Sequence, residues 1–169
     1  ENLDAERAFQ LLQGSEPCVF VTGRAGTGKS YLLRYFARKT KKRIVLLAPT
    51  GLAALNVGGQ TIHSFFIFPW GLMNREDVKQ VWDSNKRQLI RKVDTFVIDE
   101  VSMVNANLMD AIDAFLRLNG RDARKPFGGA QVVLFGDPYQ LPPVLSREDE
   151  AKFMEYHYRS PFFWDAKVF

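Results

Sequence analysis

The sequence predicts an α/β fold in which a parallel sheet is flanked by helices. Short apolar runs of strand length alternate along the chain with segments whose apolar residues recur at helical spacing. The runs are nearly continuous, which is typical of parallel strands that are buried on both faces. The predicted strands lie near 18–22, 44–48, 94–99 and 131–135.

Helical patterns occupy the segments between these runs. The predicted helices cover 30–38, 52–57, 86–93 and 108–116. Right-handed crossovers between parallel strands place the strand-to-helix loops along the carboxyl edge of the sheet, where ligands bind in such folds. We therefore expect the chemical motifs of the chain to meet at that edge.

Length and composition indicate one globular domain over residues 1–169. The chain is 46% hydrophobic and 25% charged, and its longest apolar stretches are far shorter than a membrane span. The single cysteine, Cys18, and the distant His63 and His157 exclude a disulfide framework and a zinc cluster. No targeting segment is visible, so we expect an intracellular protein without a membrane partner. The net charge of +4 permits a polyanionic partner but does not require one.

The two ends of the sequence indicate a longer parent protein. The chain opens on Glu1 rather than on methionine and closes on the aromatic-rich segment 160–169. An aromatic patch of this kind usually packs against something. We therefore expect a domain excised from a longer chain, whose remainder follows Phe169.

A complete phosphate-binding loop, GxxxxGK[ST], follows the first predicted strand. Its glycines allow backbone N–H groups to form a concave nest for phosphate oxygens, while Lys29 reaches the β- and γ-phosphates and Ser30 offers a hydroxyl to Mg²⁺. A glycine-rich turn that only joins a strand to a helix is disfavoured, because every specified position is filled. The sequence thus predicts a nucleoside triphosphate and Mg²⁺ as cofactors. The predicted nucleotide-binding residues are Gly23, Ala25, Gly26, Thr27, Gly28, Lys29 and Ser30.

The third predicted strand ends in two acids with different expected roles. Asp99, facing Ser30, is the expected partner of Mg²⁺, either directly or through another ligand of the ion, and Glu100 can polarise the water that attacks the γ-phosphate. An isolated Asp-Glu pair is commonly a solvated turn. The buried strand before it and the phosphate loop elsewhere in the chain favour the catalytic interpretation.

The fourth predicted strand leads into the segment 136–144, which contains Gln140. An uncharged amide can contact the γ-phosphate and the attacking water without competing for the metal. In isolation this segment would be interpreted as a tight turn with a surface amide. Because it leaves the same sheet edge as the other motifs, Gln140 joins Lys29 and Glu100 as a predicted catalytic residue.

The segment 48–66 is similar to the single-strand-binding motifs of superfamily-one DNA helicases. It contains the strings Pro-Thr-Gly-Leu-Ala-Ala and Thr-Ile-His-Ser-Phe. Together with the Pro-Phe-Gly-Gly run at 126–129 and the glutamine segment 136–144, it resembles the Pif-one (petite integration frequency) family of 5′→3′ DNA helicases. The resemblance runs from about Val19 to Val144, whereas RecD-like helicases share more of the last motif than of the single-strand strings.

The resemblance implies the first RecA-like domain of a helicase that hydrolyses ATP and moves 5′→3′ on single-stranded DNA, in repair, recombination or telomere maintenance. A second RecA-like domain of the same longer chain would supply arginine fingers, and the protein is expected to be monomeric. The family commonly reads adenine through a glutamine shortly before the first strand, which residues 3–7 lack. Gln10 or Gln13 could substitute, although a polar residue on a helix face is the preferred interpretation of both.

Four residues are predicted to contact single-stranded DNA. Thr50 and the Gly51 amide, at a helix amino end, can take a DNA phosphate, while His63 and Phe65 can offer ring faces to bases or sugars. The alternative is that residues 65–68 belong to the core, which we expect for at least two of the four.

The segments 69–71 and 39–43 flank these predicted DNA contacts in sequence. Residues 69–71 are predicted to begin an exposed loop, which by analogy with helicases lies near a duplex fork. The basic run 39–43 closes a helix, where cations match the helix dipole, so we interpret it as a solvated cap rather than a DNA patch.

Two other functions fit the same motifs. One is a phosphate-loop ATPase that moves something other than DNA. The other is a nucleotide and DNA binding module that has no activity without its partner domain.

Overall fold

The computed structural model of the chain describes residues 3–24, 26–140 and 142–169. Within these ranges, all strand pairs of the sheet are parallel and the order is β1-β5-β4-β2-β3. The strands are β1 (Cys18–Thr22), β2 (Ile44–Ala48), β3 (Gln60–Thr61), β4 (Thr95–Ile98) and β5 (Gln131–Gly136). The helices are α1 (Leu3–Gln13), α2 (Lys29–Lys39), α3 (Gly51–Val57), α4 (Ile62–Phe66), α5 (Ser84–Lys92), α6 (Ala106–Asn119) and α7 (Arg147–Glu155).

The sheet separates two apolar cores. Successive residues of a strand point to opposite faces, so β4 sends Phe96 and Ile98 to one core and Val97 to the other. The larger core lies under α6, and the smaller one lies under α1 and α2. Every residue of β4 and β5 is buried, which explains why both strands are nearly continuous apolar runs.

The predicted parallel α/β fold is confirmed, including all four predicted strands. The predictions omitted α4, α7 and the edge strand β3, and they gave no bounds for the helix that contains Gln10 and Gln13, which is α1. β3 has only two residues, and its sequence, Gln60 and Thr61, contains no apolar run that would mark a strand. It exists because it pairs with Leu47 and Ala48 at the end of β2.

The aromatic segment 160–169 packs against this domain itself. Phe163 is buried and its ring meets Phe20 of β1 edge to face, with 5.1 Å between the centroids. The backbone N–H groups of Lys167 and Val168 each donate to the Asp110 carboxylate of α6 at 3.0 Å. α6 and β1 therefore cover part of the patch, while Trp164 and Phe169 remain 41% and 51% exposed. The expected longer parent chain stays a prediction.

The basic run 39–43 is only partly the solvated cap that we predicted. Lys39 is exposed in the last turn of α2, as expected. The ammonium of Lys42 instead donates to the carbonyls of Leu12 and Gly14 and, at 2.9 Å, to Oε1 of Gln131. Burial lowers the pKa of Lys42. Lys42 therefore ties α1 to β5 at the amino edge of the sheet.

The Pro-Phe-Gly-Gly run packs against α6 rather than at the carboxyl edge of the sheet. Phe127 is buried with a φ of 54°, and its N–H donates to Oδ1 of Asp113 at 2.7 Å. Gly128 lies against the Leu116 carbonyl, where a Cβ atom would clash with backbone. The glycine is required by this close approach.

None of the described helices is both long and apolar enough to cross a membrane. The described residues also contain no group of three or more His, Cys, Asp or Glu side chains arranged to hold a metal ion.

Candidate functional site

The three chemical motifs meet at the carboxyl edge of the sheet. They line one cavity of about 390 Å³. Its polar lining comes from the loop after β1, the acids after β4 and the turn after β5, which are three adjacent strands of the sheet. The lining residues are Arg24, Gly26, Gly28, Lys29, Ser30, Asp99, Glu100, Gly136, Asp137 and Gln140.

The loop after β1 has the backbone of a phosphate nest. Gly26 and Gly28 have φ values of 82° and 92°, which favour glycine, and Gly28 is the N-cap of α2. Thr27 closes the loop, because its N–H and its hydroxyl both donate to the Arg24 carbonyl, at 3.2 and 2.7 Å. Ala25, a predicted nucleotide-binding residue, lies outside the described residues.

Gly23 and Lys29 close the base of this loop. The Lys29 ammonium donates to the Gly23 carbonyl, so the side chain runs back along the loop towards β1. A Cβ atom on Gly23 would lie 2.5 Å from Oγ1 of Thr27, which explains the absence of a side chain there. The loop thereby presents its amides and one ammonium to the cavity.

The two acids after β4 are held in a strained turn. The Asp99 N–H donates to the Leu47 carbonyl at 2.9 Å, which fixes this turn to β2. Glu100 has a φ of 52° and a ψ of 42°, a left-handed conformation that non-glycine residues seldom adopt. Strain of this kind clusters at functional sites, and here it turns the Glu100 side chain into the cavity.

The environment raises the pKa of both carboxyl groups. Burial raises the pKa of Asp99, although a backbone hydrogen bond from Glu100 and the charge of Lys29 oppose the shift. Burial and the negative charge of Asp99 raise the pKa of Glu100, while Lys29 lowers it and Asp137 raises it further. A carboxylate with a raised pKa is a stronger base, which suits a group that polarises water.

Gln140 is positioned by a turn built on Asp137. The buried Asp137 accepts the Tyr139 N–H at its carboxylate, at 2.9 Å, and the Gln140 N–H at its backbone carbonyl, at 3.1 Å. This turn directs Gln140 into the cavity. Leu141, the next residue of the motif, lies outside the described residues.

The oxygen donors of this cavity fit a magnesium ion. The Ser30 hydroxyl and the Asp99 carboxylate line it together, beside the phosphate nest. Mg²⁺ prefers oxygen ligands and usually takes only one or two from protein, the others coming from phosphates and water. Ser30 and Asp99 would therefore hold the ion, which would neutralise phosphate charge.

Thr50 and Gly51 lie after β2 at the same edge of the sheet. Thr50 is the N-cap of α3, and its hydroxyl oxygen accepts the Ala53 N–H at 3.2 Å. Gly51 is exposed at the first position of the helix, where its N–H has no acceptor within α3. The backbone N–H of Gly51 can therefore bind a phosphate, while the Thr50 hydroxyl caps the helix.

His63 forms an aromatic pair with an exposed tryptophan. Its ring stacks on Trp70 with 4.4 Å between centroids and an angle of 18°. Trp70 is 82% exposed, so the predicted exposed loop is confirmed. Nδ1 of His63 is buried without a hydrogen-bond partner among the described residues, and burial lowers the pKa of the imidazole. The pair presents a neutral aromatic surface.

Phe65 does not share that surface. Residues two apart on a helix point to different sides, and the Phe65 ring packs edge-on against Phe66 and Phe96. The two rings therefore lie on different sides of α4, and the contact of each with DNA stays a prediction. Phe66 and Phe68 are buried, which confirms that at least two of residues 65–68 belong to the core.

The two glutamines considered for adenine recognition have partners elsewhere. Nε2 of Gln10 donates to Glu6 one turn earlier on α1 at 2.9 Å. Oε1 of Gln13 accepts the hydroxyl of Thr40, which follows α2. Neither residue lines the nucleotide cavity, in agreement with the helix-face interpretation.

Three residues were not assigned a role from sequence. Arg24 and Asp137 line the nucleotide cavity, and Trp70 stacks on His63. Arg24 occupies an unspecified position of the phosphate-loop motif, so no pattern singled it out. Asp137 was recognised only as part of a turn, and its burial beside Glu100 depends on how β4 and β5 pair.

Comparison with known proteins identifies the family. The sequence model of the PIF1-like helicase family matches residues 6–168. The ATP-dependent DNA helicase PIF1 of Candida albicans is 42% identical over 144 residues, which are 82% of this chain and 16% of that protein. The ATP-dependent DNA helicase RRM3 of Saccharomyces cerevisiae is 37% identical over 154 residues, 87% of this chain and 21% of that protein.

Solved structures agree with these matches. The crystal structure of the Pif1 helicase from Bacteroides, in complex with ADP-AlF3 and single-stranded DNA, has a TM-score of 0.90 and 39% identity. The match covers 99% of this chain and 39% of that one. The present chain therefore spans well under half the length of its relatives. On the family match, the sequence identity and the shared fold, this chain belongs to the PIF1-like helicase family.

Proposed function

We propose that this chain is the first RecA-like domain, a single domain over 1–169, of an ATP-dependent DNA helicase. The observation that carries the proposal is the convergence of the phosphate loop, Asp99, Glu100 and Gln140 on one cavity of about 390 Å³. ATP and Mg²⁺ are its cofactors. The names of the relatives support this function, since they are ATP-dependent DNA helicases.

Each residue of the cavity has a chemical task in this proposal. The loop amides and Lys29 bind the β- and γ-phosphates and stabilise the charge that develops during transfer. A bound Mg²⁺ ion would supply further charge neutralisation from the side of Ser30 and Asp99. Glu100 accepts the proton of the attacking water, and Gln140 orients that water against the γ-phosphate.

Single-stranded DNA is the proposed partner at the neighbouring part of the edge. The amide of Gly51 and the amino end of α3 meet a DNA phosphate, and the stacked pair of His63 and Trp70 meets bases or sugars. Thr50 acts through the cap that orients these amides. Phe65 is left out of this surface because its ring is packed against the core.

The remaining elements of the proposal concern the longer protein. A second RecA-like domain supplies arginine fingers, and the full protein moves 5′→3′ as a monomer during DNA repair, recombination or telomere maintenance. It works where DNA is kept, which is the nucleoid-containing cytoplasm of a bacterium or the nucleus or mitochondrion of a eukaryote.

DNA-stimulated hydrolysis tests this function. We expect the longer protein to hydrolyse ATP faster when oligothymidine is added, whereas the 169-residue chain is a poor ATPase and unwinds no duplex. An arginine finger from a partner domain contributes roughly 10³ to 10⁵ in rate. If DNA does not stimulate hydrolysis by the longer protein, an ATPase that moves something other than DNA would be favoured. Robust unwinding by the 169-residue chain would refute the need for a second domain.

A further inference from the structure

A second concave surface lies on the flank of the sheet, away from the nucleotide cavity. We define it as the α4–α5 groove, a cavity of about 600 Å³ between these helices and the edge of β2. None of its lining residues lines the nucleotide cavity. Its apolar floor consists of Val45, Phe65, Ile90 and Val93, and Leu89 lies at its mouth.

The rim of this groove is positively charged. Arg43, Lys86 and Lys92 line it, and no carboxylate of the described chain does. Lys86 and Lys92 have no ion-pair partner within the described residues. Arg43 is near Asp94, whose carboxylate is already bound by Arg121 at 2.9 Å. The groove therefore has an excess of positive charge.

Helix α5, which forms one wall of the groove, carries several positive charges and an exposed apolar side chain. α5 contains four basic residues and no acid, and Arg87 and Arg91 lie four residues apart, where like charges repel. Leu89 is 65% exposed at the mouth of the groove. An anionic partner with an apolar side chain would neutralise the charges of Lys86 and Lys92 at the rim and cover this leucine.

We propose that the α4–α5 groove binds an acidic peptide segment of a partner protein, anchored by a bulky apolar side chain. The glutamates or aspartates of the peptide would meet the cationic rim, and the anchor would enter the apolar floor. The floor is mainly aliphatic and its one aromatic ring is packed edge-on, so it suits an apolar side chain better than a stacked base. This inference is independent of the proposed helicase function.

Fluorescence anisotropy on the 169-residue chain tests the groove. The probe is a short fluorescein-labelled peptide of glutamates with a leucine-phenylalanine pair at its centre. We expect Lys86→Glu to weaken its binding about tenfold, because attraction at the rim becomes repulsion. Leu89→Ser should weaken it several-fold through loss of apolar contact. The matched control is Arg87→Glu, the same charge change on α5 outside the groove, which should leave affinity within about twofold.

Rescue and competition complete the test. A peptide with lysines in place of the glutamates should bind Lys86→Glu better than it binds the unaltered chain. Equal losses in Lys86→Glu and Arg87→Glu would overturn the proposal, because the attraction would then be a general charge effect. Displacement of the peptide by oligothymidine, with oligothymidine affinity itself reduced by Lys86→Glu, would overturn it in favour of nucleic acid.

Discussion

The nucleotide cavity and the segment 50–70 both lie beyond the carboxyl ends of strands, yet they use their side chains differently. In the cavity, Lys29, Glu100 and Gln140 face a common space. In the segment 50–70, Thr50 caps a helix and His63 stacks on Trp70. A functional test is therefore direct in the first region and needs structural controls in the second.

The largest effect should come from Glu100 in the cavity. In the longer protein, Glu100→Gln should lower ATP hydrolysis by about 10² to 10⁴, since the amide cannot accept the proton of the attacking water. ATP binding should survive, because Lys29 and the loop amides are unchanged. Steady-state hydrolysis and nucleotide titration measure the two quantities separately.

Glu150→Gln on the exposed face of α7 is the matched control and should leave hydrolysis unchanged. Near-normal turnover of Glu100→Gln would exclude Glu100 as the base.

A smaller effect is expected at Thr50, where stability and DNA affinity must be separated. Thr50→Ala removes the cap of α3 and should cost about 1 kcal/mol in unfolding free energy. It should also weaken oligothymidine binding by the longer protein, because the Gly51 amide is less well fixed. Urea unfolding and anisotropy measure the two effects.

Thr50→Ser retains a hydroxyl cap and should behave almost like the unaltered protein in both measurements. Normal DNA affinity in Thr50→Ala, despite the lost stability, would show that the amino end of α3 does not meet DNA.

The smallest effects should appear in the aromatic pair. His63→Ala and Trp70→Ala should each reduce oligothymidine affinity several-fold, by the loss of base stacking. The double variant should lose less than the sum, because each ring depends on the other for its position. Phe65→Leu serves as the control and should leave DNA affinity unchanged. A larger loss in Phe65→Leu than in His63→Ala would reverse our assignment of the two faces.

The salt dependence of DNA affinity tests the proposed phosphate contact. Binding of oligothymidine should weaken as salt rises, because contacts to phosphates release counterions from the DNA. Anisotropy titrations of the longer protein at several salt concentrations measure this slope. A salt-independent affinity would contradict the phosphate contact at Gly51.

The sequence predicted the arrangement of the cavity residues better than the directions of the rings in the segment 50–70, for a physical reason. The phosphate-loop motif specifies backbone conformation at its own glycines, and the apolar strands before Asp99 and Gln140 carry both residues to one edge. The strings at 50–65 specify residue types but not the direction of each ring. That direction depends on where α4 begins, which is set by the Thr61 cap, and on core packing at Phe96.

Other differences have similar causes. The hydrogen bonds of Lys42 depend on the approach of α1 and β5, which are distant in sequence. The packing of residues 160–169 against α6 depends on Asp110, whose carboxylate accepts hydrogen bonds from the N–H groups of residues 167 and 168. Local patterns contain no information about such long-range contacts.

The central claim is that the loop after β1 and the acids after β4 form an ATP site, and nucleotide titration tests it most directly. A fluorescent ATP analogue is titrated with Mg²⁺ into the 169-residue chain, into Lys29→Ala and into the control Lys39→Ala, which alters an exposed lysine at the far end of α2. We predict saturable binding by the chain and by Lys39→Ala, and no detectable binding by Lys29→Ala. Equal affinity in all three proteins would contradict the claim.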